Sequence, residues 1–114
     1  MRSFYYAFSG IVSAFRSEVN MRIQVAAAIL ALAAGIYFRI AAAEWTMIVL
    51  CICSVIAMEL INTAIEKICN HVTAEQHLVI KQIKDIAAAA VLVTALGSVV
   101  VAVIIFLPKL ILLF

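Results

Sequence analysis

An all-α, membrane-embedded bundle is what this sequence predicts, and three observations carry the prediction. The 114 residues are 68% hydrophobic and only 12% charged, whereas soluble domains are about one-half apolar and about one-quarter charged. The mean hydropathy is +1.26. The apolar residues fall into three runs, each close to the ~20 residues of helix that cross a hydrocarbon core, and an amphipathic segment precedes them. This length accommodates three spans and one short surface helix, so residues 1–114 are read as a single domain.

The first element is expected over residues 3–18. Phe4, Phe8, Ile11, Val12 and Phe15 recur at helical spacing while Ser3, Ser9, Ser13 and Arg16 fall elsewhere, the pattern of an amphipathic helix lying on a membrane surface. Residues 1–22 mix Arg, Ser, Glu and Asn with aromatics, unlike the basic-then-apolar order of a cleavable leader. A first span is predicted over 21–38, rich in alanine and ending near Gly35, Tyr37 and Arg39, which suit an interface. Residues 39–44 form a short turn.

The second span, 45–68, is apolar until Glu59 and then carries polar residues at 59, 62, 63 and 66. Residues 69–81 read as a polar loop or helix start, with Thr73 and Gln76 at capping-box spacing. The third span is predicted over 83–106, with Asp85 at its start, Ala87 to Ala90 suited to close helix packing, and Pro108-Lys109 closing it.

Arg2, Arg16, Arg22, Lys67, Lys81 and Lys84 lie at one set of span ends against Arg39 and Lys109 at the other, six to two. The bias puts the N-terminus and the 69–81 segment in the cytoplasm. A net charge of +2 without a basic stripe argues against nucleic acid as a partner. Cys51 and Cys53, two apart on a helix, do not face each other, and with Cys69 they read as small packing residues rather than a disulfide framework.

An ionisable residue at membrane depth costs about 2.5 to 3.5 kcal/mol on insertion scales, so two acids on one span need a use. From Glu59 to Glu66 a helix turns about 700°, and from Glu59 to Asn62 about 300°, which puts all three on one face over ~10 Å. A seam of interhelical hydrogen bonds is the bland explanation, but Ser, Thr or Asn build one without carboxylates. Glu18, at the joint of surface helix and first span, falls in the same layer as Glu66, and two converging carboxylates suit Mg²⁺. Taken alone, Glu18 reads as a partner of Arg22 at i+4. Glu75, His77, Lys81, Lys84 and Asp85 share that aqueous layer, where a lysine can neutralise a polyphosphate and a carboxylate can accept from a ribose or adenine. Gly10, Gly35 and Gly97 are too far apart for a glycine-rich phosphate loop.

The run Glu59-Leu60-Ile61-Asn62-Thr63-Ala64-Ile65-Glu66, followed by Lys84-Asp85-Ile86-Ala87-Ala88, resembles the signature of the small prokaryotic diacylglycerol kinase family. Phe4-x-Tyr6-Ala7-x-x-Gly10, Glu18-x-Asn20-x-Arg22, Ala43-Glu44-Trp45 and the tail from Ile104 to Leu110 extend the likeness over nearly the whole chain. The resemblance implies a homotrimeric helical bundle in the bacterial inner membrane, with the active site on the cytoplasmic side. It also implies composite sites that move the γ-phosphate of ATP onto a lipid hydroxyl with Mg²⁺. Carried over, Glu59 is the general base, Asn62 the active-site amide, and Glu18 and Glu66 the magnesium ligands. Tyr6, Glu75, Gln76, His77, Lys84 and Asp85 match positions around the nucleotide.

One branch of the family phosphorylates diacylglycerol and another undecaprenol. Glu44-Trp45, Ala87-Ala88 and the Phe106-Leu107-Pro108-Lys109 tail are more like the undecaprenol branch. Asn70 stands where aspartate is common, Gln24 where histidine is frequent in that branch, and Ala89 where glycine is common. The competing class is a non-enzymatic helical membrane protein whose acids line an ion path.

Overall fold

The computed structural model describes residues 2–72 and 78–114, and every element among them is helical. They form α1 (Arg2–Ser17), α2 (Val19–Phe38), α3 (Ala42–Val72) and α4 (Leu78–Leu113). The last three are each long and apolar enough to cross a membrane. On α1, Ala7, Gly10 and Ala14 recur along the side facing α3, while Phe4, Tyr5 and Phe8 stay exposed, as a surface helix in the headgroup layer requires.

Only Glu18 separates α1 from α2. Its backbone is extended (φ −121, ψ 121), yet its N–H donates to the Ala14 carbonyl at 3.0 Å and its own carbonyl accepts from the Arg22 N–H at 3.4 Å. The expected Glu18–Arg22 pair does not form. The Arg22 guanidinium instead donates to the Phe15 and Arg16 carbonyls, both at 3.0 Å, acceptors that the end of α1 leaves without intrahelical partners.

α2 ends in a Schellman motif: the Ile40 N–H bonds the Gly35 carbonyl (3.2 Å) and the Arg39 N–H bonds the Ile36 carbonyl (3.3 Å). Arg39 takes the left-handed conformation (φ 51, ψ 55) usually given to glycine. Glu44, in the first turn of α3, accepts from the Ala41 N–H at 2.9 Å, the carboxylate half of a capping box.

The helices outrun the expected spans, because apolarity marks membrane depth whereas helical hydrogen bonding persists beyond it. α3 continues through Asn70 and His71 to Val72, and α4 begins at Leu78, so most of the predicted polar loop is helix. Residues 73–77, including the Thr73 and Gln76 pair, lie outside the described residues. Pro108 does not close α4, which runs on to Leu113. A proline inside a helix displaces the carbonyls of the preceding turn, and here the Lys109 ammonium donates to the Ile105 carbonyl at 3.0 Å.

α3 is the central helix, packing mainly on α4, then on α2 and, at one end, on α1. The core of Ile40, Ile48 and Ile105, flanked by Phe38, Trp45 and Phe106, lies at the end remote from Glu66. There the Lys109 ammonium reaches Glu44 Oε2 at 2.8 Å, joining α4 to α3. Ala89 is exposed, and the three cysteines are free thiols.

Gly35 permits a close approach in this region. A methyl group there would stand 2.7 Å from Trp45 Cη2 and 3.0 Å from Cζ2, a collision with a rigid ring. Gly35→Ala is expected to destabilise the fold by about 1 to 3 kcal/mol, as overpacked cores do. A lowered thermal midpoint in detergent micelles checks this; an unchanged midpoint refutes it.

Candidate active site

Glu59 and Glu66 on α3 and Glu18 at the α1–α2 joint lie toward the end of the bundle opposite the core. On α3, Glu59, Asn62 and Thr63 are buried, with 3%, 8% and 4% exposure. Glu59 therefore faces protein rather than lipid. Thr63 Oγ1 donates to the Glu59 backbone carbonyl at 2.9 Å, spending its hydroxyl within the helix. Glu66, nearly two turns further along the same face, is half-buried.

The bend at residue 18 brings in the third acid. Glu18 occupies the N-cap position of α2, but its side chain makes no capping bond, so its carboxylate remains available for other partners. Glu18 and Glu66 both lie within electrostatic range of Glu59, and Gln24 approaches it from α2. Asn62 Oδ1 is buried with no hydrogen-bond partner among the described residues. Such an acceptor is costly in isolation, which makes it a candidate for a ligand contact.

The family pattern described as prokaryotic diacylglycerol kinase matches residues 5–106. The chain belongs to that family. It is 39% identical to the undecaprenol kinase of Bacillus subtilis, over 96% of this chain and 89% of that protein. It is 33% identical to a diacylglycerol kinase of Synechocystis, over 95% of this chain and 62% of the longer relative. The diacylglycerol kinase of Escherichia coli K12 is 27% identical, over 83% of this chain and 78% of that protein. The chain is accordingly a multi-pass membrane lipid kinase, a phosphotransferase for which ATP is the implied co-substrate. A non-enzymatic membrane protein is no longer the competing class.

Within this kinase the remaining expected residues divide. Tyr6 is 65% exposed and, with Gly10, Thr63 and Lys67, lines a cavity of about 440 Å³ between α1 and α3. Lys84 is half-buried and donates to Asn70 Oδ1 at 2.6 Å across the α3–α4 contact. Asp85 lies on an exposed face, paired with Lys81 at 2.7 Å. Glu75, Gln76 and His77 lie outside the described residues.

Two contacts went unread in the sequence. Asn70, in the sequence only a departure from a common aspartate, is the amide that steadies Lys84. Gln24, in the sequence only a departure from the family pattern, lies near the buried acid. A lone amide inside an otherwise apolar span was the available signal, by the same reasoning that singled out Glu59.

Proposed function

We propose that the chain transfers the γ-phosphate of ATP to the hydroxyl of undecaprenol, giving undecaprenyl phosphate and ADP. It acts as a homotrimer in the bacterial cytoplasmic membrane, with its N-terminus and acidic end toward the cytoplasm. The observation that carries this reading is one deeply buried carboxylate, Glu59, with two half-buried ones, Glu18 and Glu66, in electrostatic range. Glu59 takes the proton of the lipid hydroxyl as its oxygen bonds the γ-phosphorus, while the bond from that phosphorus to the bridging oxygen of ADP breaks. The electron pair of the broken bond leaves with ADP.

Glu18 and Glu66 would hold Mg²⁺. Among the described residues no group of three or more His, Cys, Asp or Glu could hold a metal alone, and this donor set fits Mg²⁺, which takes one or two carboxylates and completes its shell with water and phosphate oxygens. Bound there, the ion would neutralise charge on the phosphoryl oxygens. Asn62 orders the polar groups beside the base through its free Oδ1. Lys84, steadied by Asn70, faces the phosphates, and Tyr6, Asp85, Glu75, Gln76 and His77 surround the nucleotide. The trimer rests on the family likeness, in which neighbouring chains complete each site and membrane lipids bathe the outer faces.

The substrate follows from degree of likeness. The identity of 39% to an undecaprenol kinase exceeds the 33% and 27% to two diacylglycerol kinases, and the Glu44-Trp45, Ala87-Ala88 and tail residues agree. Diacylglycerol is the second reading, favoured by the names of those two relatives. Purified protein in micelles, given Mg²⁺, labelled ATP and equal mole fractions of the two alcohols, is expected to label undecaprenol the faster. Faster labelling of diacylglycerol selects the second reading, and labelling of neither rejects both.

A further inference from the structure

Glu59, Asn62 and Glu66 mark one face of α3, and the residues directly after them, Leu60, Thr63 and Lys67, mark the next, about 100° round the helix. This second face is turned to α1. It forms one wall of the cavity of about 440 Å³ whose other wall, on α1, includes Tyr6, Gly10 and Ser13. A methyl group added at Gly10 would meet nothing within 4 Å, so the space beside it is open. Lys67 is the one charged residue of the lining, and among the described residues its ammonium has no hydrogen-bond or ion-pair partner. Glu66 precedes it in the chain, but neighbours in a helix do not face each other.

We propose that Lys67 is a nucleotide-binding residue, its ammonium donating to oxygens of the ATP phosphates that are not transferred while the base lies against the Tyr6 ring. The inference rests on the reading that Tyr6 borders the nucleotide and Glu66 the metal. A mostly apolar cavity of this size with one or two polar groups at its edge is the usual form of a small-molecule site. Charge chooses the occupant. The lipid alcohol is neutral and has no use for an ammonium, whereas a polyphosphate approaching Glu18 and Glu66 meets two carboxylates whose repulsion a cation one position further along α3 reduces.

Lys67→Met keeps the length of the side chain and removes the charge, while Lys67→Arg restores it. Each variant is assayed for kcat and for the KM of ATP and of the lipid alcohol, with ATP-dependent thermal stabilisation reporting binding without turnover. The methionine variant is expected to raise the KM for ATP by about tenfold, the scale of one hydrogen bond to a charged group. The loss should fall on KM rather than kcat, as for a contact made equally before and during the chemical step. The KM for the lipid alcohol is expected to stay put, and arginine to recover most of the affinity for ATP. Gly10→Leu, which projects into the open space, is expected to raise the KM for ATP without lowering the thermal midpoint.

An unchanged KM for ATP in Lys67→Met overturns the proposal, and so does a raised one that arginine fails to restore. A raised KM for the lipid alcohol with that for ATP unchanged gives the cavity to the lipid and overturns it equally. Tyr6→Ala separates the two levels of the argument. If it leaves the KM for ATP unchanged, the reading of Tyr6 as a neighbour of the nucleotide fails; if it raises that KM while Lys67→Met does not, only the role of Lys67 fails.

Discussion

Glu59→Gln is expected to reduce phosphoryl transfer by about 10²- to 10⁴-fold, the usual contribution of a positioned general base. The substitution keeps the size of the side chain and its ability to hydrogen-bond, and removes only the capacity to take a proton. Because Glu59 is buried against protein, a neutral amide in its place relieves the cost of enclosing a charge, so the fold is expected to survive. Transfer of label from ATP to lipid gives the rate, and ATP-dependent thermal stabilisation reports nucleotide binding independently. Lost transfer with retained stabilisation assigns Glu59 to the chemical step. A variant within tenfold of the parental rate removes it from that role.

Glu18→Gln and Glu66→Gln are expected to act on the metal instead. Removing an outer partner of a metal ligand already costs about 10- to 100-fold in metal affinity, and replacing a ligand carboxylate costs at least that. Each single variant should therefore need at least tenfold more Mg²⁺ for half its maximal rate, and the double variant should be inactive at any accessible concentration. Titration of Mg²⁺ at saturating lipid measures both. An unchanged Mg²⁺ requirement in either single variant excludes that residue as a ligand. The two acids reach the site by different routes, Glu66 along α3 and Glu18 through the extended residue between α1 and α2, so their loss is expected to be non-additive.

Helical periodicity made Glu59, Asn62 and Glu66 legible, because a single helix determines their relative placement. The centres of the three spans were legible for a similar reason: a run of apolar residues reports depth in a bilayer. Helix ends were not. Asn70 and His71 are polar and yet helical, since exposed helix satisfies its own backbone wherever side chains are solvated. Pro108 carried a stop signal, yet α4 runs on past it to Leu113.

Contacts between distant residues were the other hidden part. Arg22 had two possible partners in the sequence, the carboxylate one turn back and the carbonyls closing α1, and the bend at Glu18 chose the carbonyls. Gln24 and Glu59 come from different helices, and Asn70 meets Lys84 across the α3–α4 contact. No local pattern encodes such pairs.

The Glu44–Lys109 bridge and the Ile40, Ile48 and Ile105 cluster have a mechanical consequence. They act as the spring of a clothes-peg, pinning the helices at the end remote from Glu59 and Glu66. Displacement of a rigid helix grows with distance from such a pivot. A tilt of about 5° about it, across the ~30 Å of hydrocarbon depth, would move the far tips, where the acids lie, by roughly 3 Å.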